Sequence, residues 1–267
     1  MENRKGLFIV IEGVDGCGKT TQANFLADYL RSLGRTVHHT AEPTESGLGG
    51  MVRDGLGGEH PRQSEELAAM FLADRVSHNV SPKNGIKKHL AEGTDVICDR
   101  YYYSSLAYQG VDGPFDWVAD MNLHSPVIEK PDLCLFIDLD PQKCFEHIRA
   151  GRSHFEIFEE NSAALENTRR RYGTVFDYLK GKENIVIIDG AKTPEEVFSD
   201  IRKAVEPLLS RSKTPQAEPA AFFIPRNISA PGKASPPKER AFRLPRPFRC
   251  RRLYGSRRRN FCSPKRR

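Results

Sequence analysis

The sequence predicts an α/β fold with a five-stranded, mainly parallel sheet flanked by helices. Short apolar runs alternate with amphipathic helical segments, which is typical of parallel strands joined by crossover helices. The run at residues 132–139 is apolar nearly throughout, as expected of a strand buried on both faces. The pattern covers residues 1–209, enough chain to bury a core of its own.

A first strand at residues 7–11 leads into a glycine-rich turn and then an amphipathic helix that ends before Gly34. The turn matches G-x-x-x-x-G-K-[ST], in which backbone amides and the lysine bind the phosphates of a nucleoside triphosphate. Lys19 can reach the β- and γ-phosphates, and Thr20 can ligate Mg²⁺. We therefore expect nucleotide binding by Gly13, Val14, Asp15, Gly16, Cys17, Gly18, Lys19, Thr20 and Thr21.

A second strand is predicted at residues 36–40 and ends just before Glu42 and Pro43. Because ligands of open α/β sheets bind at the carboxyl ends of the strands, these two residues are candidates for the site. The segment that follows is predicted to be a glycine-rich loop, and it carries Arg53.

A helix is predicted at residues 64–78, with Ser64 as its cap and acidic residues in its first turn. Its apolar stripe includes Phe71 and turns polar near Arg75, one helical turn later. An apolar face that ends in charge indicates the edge of a site, although on the pattern alone the core is the default place for Phe71.

A third strand at residues 94–99 ends with Asp99 and Arg100. Charged groups at the end of a buried strand are costly unless they meet a ligand, a metal or a partner. A ligand site and a simple strand-terminal ion pair are both consistent with this pattern.

The rest of the pattern completes the alternation. Helices are predicted at residues 115–123 and 126–129, and the fourth strand at 132–139 follows them. Helices at 141–150 and 159–179, a strand at 185–188 and a helix to 209 complete the pattern.

A change in composition divides the chain into a domain at residues 1–210 and a tail at 211–267. The first part holds 24 basic and 33 acidic residues, a net charge of −9, whereas the second holds 17 and 2, a net charge of +15. The tail is rich in proline and arginine and lacks hydrophobic periodicity, so we expect it to be disordered. It could bind nucleic acid through charge, or it could be a solvated extension without function.

The six cysteines form no C-x-x-C pair, and no apolar run approaches the roughly 20 residues of a membrane span. The start of the chain does not resemble a signal peptide. We therefore expect a cytoplasmic protein that does not interact with membranes.

Three further segments resemble the thymidylate kinase family. Asp99-Arg100-Tyr101 with the segment at 104–109 is similar to the family's signature, and the segment at 71–75 resembles its base-stacking helix. Glu42-Pro43 resembles a turn whose proline is typically cis in the family. These motifs occur in the family's order, and the resemblance covers about residues 6–209. It implies a three-layer P-loop kinase fold and a homodimer.

The resemblance implies phosphoryl transfer from ATP to dTMP with Mg²⁺. It implies that Phe71 stacks on thymine, Arg75 contacts the edge of the base, and Arg100 binds the acceptor phosphate. Lys19 and Arg100 would then be catalytic, together with Asp99, which would organise the water shell of the metal. The implied dTMP site comprises Asp15, Glu42, Pro43, Arg53, Phe71, Arg75, Arg100, Ser104, Ser105, Tyr108 and Gln109.

One departure from the family's pattern bears on catalysis. Some members carry an arginine in the phosphate loop at the position of Gly16, and members with glycine there take the arginine from a mobile lid. The lid corresponds to residues 149–158, so the resemblance implies Arg152 as the catalytic lid arginine and Arg149 as the second choice. A solvated arginine at a helix end is the alternative for each.

Two other nucleotide-binding classes share this kind of phosphate loop. A deoxynucleoside kinase would need a carboxylate base after the second strand, where Glu42 lies. A GTPase would carry D-x-x-G after the third strand and N-K-x-D, and the sequence has neither.

Overall fold

The computed structural model describes residues 6–57, 60, 62–111, 113–151 and 162–211. Its centre is one five-stranded sheet in the order β2-β3-β1-β4-β5, in which all neighbouring strands are parallel. The predicted fold class is therefore confirmed. The strands are β1 (Phe8–Glu12), β2 (Val37–Ala41), β3 (Asp95–Asp99), β4 (Leu133–Asp138) and β5 (Ile185–Asp189).

Helices cover both faces of the sheet. The apolar side chains form two large clusters. One packs under the helices at Lys19–Ser32, Pro141–Gly151 and Pro194–Arg211, and the other under those at Ile86–Ala91, Phe115–Leu123 and Ser162–Leu179. This arrangement gives the three layers that the sequence predicts. The helices are α1 (Lys19–Ser32), α2 (Gly47–Leu56), α3 (Ser64–Val80), α4 (Ile86–Ala91), α5 (Tyr102–Ser105), α6 (Phe115–Leu123), α7 (Pro141–Gly151), α8 (Ser162–Leu179) and α9 (Pro194–Arg211), with a π-helical turn at Leu106–Gly110.

The strand register brings the polar strand ends together. Ile11 of β1 lies beside Asp99 of β3, and Asp99 lies beside Ala41 at the end of β2. The backbone amide of Glu42 donates to the Asp99 carbonyl at 3.0 Å. The ends of three strands therefore meet at one edge of the sheet, where parallel α/β proteins bind ligands.

Three local predictions were wrong. Residues Gly47–Leu56, predicted as a loop, form α2, because the Ser46 side chain caps the amide of Gly49 and Val52 and Leu56 bury an apolar face. The cap of α3 is Gln63 instead of Ser64, and Gln63 forms a capping box with Glu66. The segment 126–129 is a turn, since four residues between prolines are too few to sustain a helix.

Candidate active site

A cavity of about 580 Å³ opens where β1, β2 and β3 end. Residues 15, 16 and 18–21 of the phosphate loop and the start of α1 form one part of its wall, and segments after β2 and β3 with residues of α2, α3 and α7 form the rest. The cavity therefore collects most of the site residues predicted from the sequence. Those on its wall are Asp15, Gly16, Gly18, Lys19, Thr20, Thr21, Glu42, Pro43, Arg53, Phe71, Arg75, Asp99, Arg100, Ser104, Tyr108 and Gln109.

Gly16 shapes the phosphate loop because α7 packs directly against it. Its φ of 80° is left-handed, and a Cβ built there would lie 2.3 Å from the carbonyl oxygen of Cys144 and 2.9 Å from Ile148 Cγ1. Both the backbone conformation and the space require glycine. An arginine at this position is incompatible with the observed loop, which agrees with its absence from the sequence.

Lys19 begins α1 and folds back over the loop. Its Nζ donates to the Val14 carbonyl at 3.0 Å and lies 3.5 Å from an Asp15 carboxylate oxygen. Burial lowers the pKa of Lys19, but the charges of Asp15 and Asp99 contribute to a net rise. The ammonium group is therefore charged at neutral pH, in a place suited to an anion.

Thr20 and Asp99 place two side-chain oxygens close together on the cavity wall. The Thr20 hydroxyl donates to Asp99 Oδ2 at 2.8 Å, which joins the first turn of α1 to the end of β3. A hydroxyl and a carboxylate are ligands that suit Mg²⁺, which takes few protein ligands and completes its shell with phosphate and water. The described residues contain no cluster of three or more acidic, histidine or cysteine side chains that could hold an ion without such help.

Arg100 is held in an unusual backbone conformation. Its φ is 67°, in the left-handed region that residues with a side chain rarely adopt. The guanidinium pairs with the Asp15 carboxylate, donates to Ser104 Oγ at 3.0 Å, and lies 5.3 Å from the centre of the Tyr108 ring. Burial alone would lower the pKa of Arg100, but Asp15 in particular raises it well above its usual range.

Glu12, which the sequence did not mark as a site residue, supports this conformation. It is fully buried and accepts hydrogen bonds from the backbone amides of Tyr101 and Ser104 at 2.8 and 3.2 Å. The hydroxyls of Ser104 and Tyr172 each donate to it at 2.8 Å. Burial raises the pKa of Glu12. The signal for this role in the sequence is that Glu12, a carboxylate, ends an otherwise apolar strand.

Glu42 and Arg75 form a buried ion pair in the cavity wall. Arg75, only 1% exposed, donates to Glu42 Oε2 at 2.8 Å through Nε, and its Nη2 lies 2.7 Å from the same oxygen. Glu42 Oε1 lies 3.0 Å from His78 Nδ1, so both carboxylate oxygens are engaged. Nη1 of Arg75 donates to Asn122 Oδ1 at 2.6 Å, and Nη2 also donates to Ser105 Oγ at 3.1 Å.

Arg53 closes the cavity from α2. Its guanidinium donates to the carbonyl oxygens of Pro43 and Thr44 at 3.1 and 2.7 Å. The buried Asp74 accepts from the amide and hydroxyl of Thr44, which fixes the turn that carries these carbonyls. The Glu42–Pro43 peptide bond in this turn is cis, as the resemblance implies.

The aromatic and amide side chains form the remaining wall. Phe71 is partly buried and packs on the small cluster of Val52, Leu56 and Leu67 while it faces the cavity. The Tyr108 hydroxyl donates to Asp15 Oδ2 at 3.4 Å. Gln109 is 2% exposed, and its Oε1 has no hydrogen-bond partner in the described part of the chain.

Several predicted residues lie off the cavity wall. Ser105 lies behind it as a partner of Arg75, and Arg149 is exposed on α7 with its guanidinium 5.9 Å from the Phe145 ring centre. Arg152 falls outside the described residues. The other loop residues off the wall are Gly13, Val14 and Cys17, and all three are buried.

The structure also adds a residue that no sequence pattern indicated. His147 of α7 lies on the cavity wall, and its Nδ1 is 2.9 Å from the carbonyl oxygen of Gly16. The two residues are 131 positions apart, and only the packing of α7 on the loop brings them together.

The arrangement can bind two anionic groups at once. The loop amides and Lys19 suit one set of phosphates, and Arg100 suits a second, with Phe71 presenting an apolar face beside them. The oxygens of Thr20 and Asp99 on the same cavity wall suit a divalent cation.

Comparisons with known proteins agree with this geometry. The family model of thymidylate kinases matches residues 11–201. The chain is 35% identical over 200 residues to a probable thymidylate kinase of Methanococcus aeolicus, an alignment that covers 73% of this chain and 94% of the relative. It is 36% identical over 209 residues to a thymidylate kinase of Carboxydothermus hydrogenoformans, with 76% and 98% covered. On the fold, the site and these matches, the chain belongs to the thymidylate kinase family.

Proposed function

We propose that this protein transfers the γ-phosphoryl group of ATP to dTMP, giving ADP and dTDP, as one step of dTTP synthesis. The observation that carries the proposal is the single cavity that joins the phosphate loop to Arg100, Phe71 and Tyr108. The relatives named as thymidylate kinases support the same reaction.

On the donor side, Lys19 and the amides of the phosphate loop bind the β- and γ-phosphates. Thr20 and Asp99 would hold Mg²⁺, Thr20 directly and Asp99 through water. When bound, Mg²⁺ neutralises the donor phosphates and the charge that develops on the transferred group. The short contact between the two side chains keeps their oxygens together before the ion arrives.

On the acceptor side, Phe71 stacks on thymine and Arg100 binds the phosphate of dTMP. Asp15, which contacts Arg100 and Tyr108, lies where it can orient the guanidinium and meet the deoxyribose. The unpartnered Oε1 of Gln109 is an acceptor that a bound nucleotide can satisfy. Arg75 supports this wall through its pair with Glu42 and contacts the edge of the base.

Catalysis then consists mainly of alignment and neutralisation of charge, because both reacting groups are phosphate anions. The acceptor phosphate is largely dianionic near neutral pH, so no general base is required. Gly16 leaves the phosphate loop without an arginine, and Arg152 is proposed to supply the bridging cation. Replacement of Arg152 by alanine is expected to lower kcat far more than it changes dTMP binding.

A deoxynucleoside kinase is not favoured. Such an enzyme would use Glu42 to deprotonate a sugar hydroxyl, but both oxygens of this buried carboxylate are engaged by Arg75 and His78. A base must reach its proton directly or through one water molecule.

A coupled assay of ADP release with dTMP, dUMP and thymidine tests the proposal. We expect strong activity with dTMP, weak activity with dUMP and little with thymidine. Faster turnover of thymidine than of dTMP would overturn the assignment. Glu42→Gln, assayed with thymidine, provides an independent check. An amide cannot act as the base, so any thymidine turnover that survives this change does not use Glu42 as its base.

We also propose that residues 1–210 form the kinase domain, that it acts as a homodimer in the cytoplasm, and that the basic tail is dispensable for catalysis. Among the described helices, none has the length and apolar character to cross a bilayer. A chain that ends at Ser210 is expected to keep full activity, and its mass by light scattering reports the oligomeric state. Loss of activity would assign the tail to the catalytic unit, and nucleic-acid binding that persists in about 0.5 M salt would exclude a purely electrostatic tail.

A further inference from the structure

α7 lies across the phosphate loop, and Gly16 is the point of contact. The carbonyl oxygen of Cys144 approaches so closely that a Cβ at position 16 would lie 2.3 Å from it. One turn further along α7, His147 Nδ1 lies 2.9 Å from the Gly16 carbonyl oxygen. The helix and the loop are therefore joined by packing and by a hydrogen bond at the same residue.

The hydrogen bond determines which nitrogen of the imidazole ring carries a hydrogen. A carbonyl oxygen only accepts, so Nδ1 carries the hydrogen and donates it to Gly16. Nε2 then lies on the other edge of the ring, and within the described part of the chain it has no hydrogen-bond partner. The side chain is exposed on the cavity wall. Protonation of Nε2 makes the ring a cation with a second N–H donor.

The lysine and the arginines on the described cavity wall already have anionic or carbonyl partners. Lys19 and Arg100 share Asp15, and Arg75 is paired with Glu42. Arg53 donates to two backbone carbonyls. His147 differs because one edge of its ring is anchored to the loop and the other edge is directed away from that anchor.

We propose that His147 is a donor-binding residue whose Nε2–H contacts a phosphate oxygen of the nucleoside triphosphate while Nδ1–H stays bonded to Gly16. This inference rests on the proposed kinase function. A phosphate oxygen only accepts, so the bound ring is the imidazolium, and the contact is a charge-assisted hydrogen bond. No lysine or arginine from the lid is needed for it.

Two substitutions separate the charge from the anchor. His147→Asn places an amide nitrogen where Nδ1 lies and keeps a donor for Gly16, but it removes Nε2. His147→Arg restores a cation. His124→Asn is the matched control, because His124 is an exposed histidine at the end of α6, off the cavity wall, bonded through Nδ1 to Asp120 at 2.7 Å.

Binding is measured by calorimetry with ATP, ADP, adenosine and dTMP, and steady-state rates are measured in parallel. We expect His147→Asn to weaken ATP binding by about tenfold, the loss of one modest charge-assisted hydrogen bond. Binding of adenosine and dTMP, and the melting temperature, should stay at the values of the His124→Asn control. His147→Arg should recover most of the ATP affinity.

The inference is overturned if His147→Asn binds ATP as tightly as the control does. It is also overturned if the variant loses affinity for ATP, dTMP and adenosine alike together with thermal stability, because that pattern describes a structural role only. The calorimetric binding measurements do not depend on turnover. A protein that binds ATP through His147 but does not phosphorylate dTMP would refute the proposed reaction and leave this inference intact.

Discussion

Replacement of Gly16 by alanine should destabilise the protein more than the same change at Gly34. The two glycines share nearly the same backbone conformation, with φ of 80° and 78°. An alanine in this left-handed region costs about 1–2 kcal/mol at either site. A Cβ at position 34 meets no atom within 4 Å, whereas at position 16 it meets the Cys144 carbonyl oxygen at 2.3 Å.

The clash adds a second cost at position 16 alone. Relief requires α7 or the loop to move, and overpacking of this kind typically costs about 1–3 kcal/mol. The expected loss is therefore about 1–2 kcal/mol for Gly34→Ala and about 2–5 kcal/mol for Gly16→Ala. For a domain of this size each kcal/mol lowers Tm by about 2–4 °C.

Urea unfolding followed by circular dichroism measures both free energies of unfolding, and the kinase assay measures the KM for ATP. Movement of α7 also displaces His147, so Gly16→Ala should raise the KM for ATP while Gly34→Ala leaves it unchanged. Equal losses of stability in the two variants would refute the conclusion that α7 packing requires glycine at position 16.

Three further variants test the buried polar groups. Arg75→Met leaves the Glu42 carboxylate buried without its cation and should lower the free energy of unfolding by about 3–5 kcal/mol, measured in urea. Arg31→Met breaks an exposed pair and should lower it by less than about 1 kcal/mol. Comparable losses in the two variants would contradict a stabilising role for the buried pair. Burial, and to a smaller extent neighbouring histidines, lowers the pKa of His38 to about 4 in the folded protein. As the pH falls from 6.5, His38 is therefore protonated in the unfolded chain before it is protonated in the folded one. Stability should therefore fall by about 1–2 kcal/mol between these pH values, after a discount for partial exposure, and His38→Asn should flatten that fall in urea midpoints. Glu12→Ala leaves the buried amide of Tyr101 without an acceptor, while the Ser104 amide keeps the Tyr101 carbonyl, and should cost about 1–3 kcal/mol by thermal unfolding; an unchanged Tm would show that the Tyr101 amide finds another partner.

The sheet and the ends of its central strands were predictable because they depend on local patterns. Apolar runs define parallel strands wherever both faces are covered, and the residue after each run lies at the ligand-binding edge. Asp99 and Arg100 were identified in this way. α2 was missed because glycines dominate its first turns, and only its cap and its contact with Leu67 make the segment helical.

The residues that support the site were not predictable, because their roles depend on contacts between distant segments. Glu12 receives a hydrogen bond from Tyr172, 160 positions away, and His78 reaches Glu42 from a neighbouring helix. Each of these side chains is unremarkable in its own segment. Arg75 was assigned to the base, but its local pattern gave no sign of how completely Glu42, Ser105 and Asn122 surround it.

The left-handed backbone of Arg100 sets stability and activity against each other at that position. The conformation costs about 1–2 kcal/mol for a residue with a side chain, and Glu12 stabilises it by accepting a hydrogen bond from the next backbone amide, that of Tyr101. Glycine would adopt it without that cost but would remove the guanidinium from the cavity. A screen for heat-resistant variants should therefore recover glycine at position 100 in inactive proteins, whereas selection for growth that depends on the enzyme's activity should retain arginine.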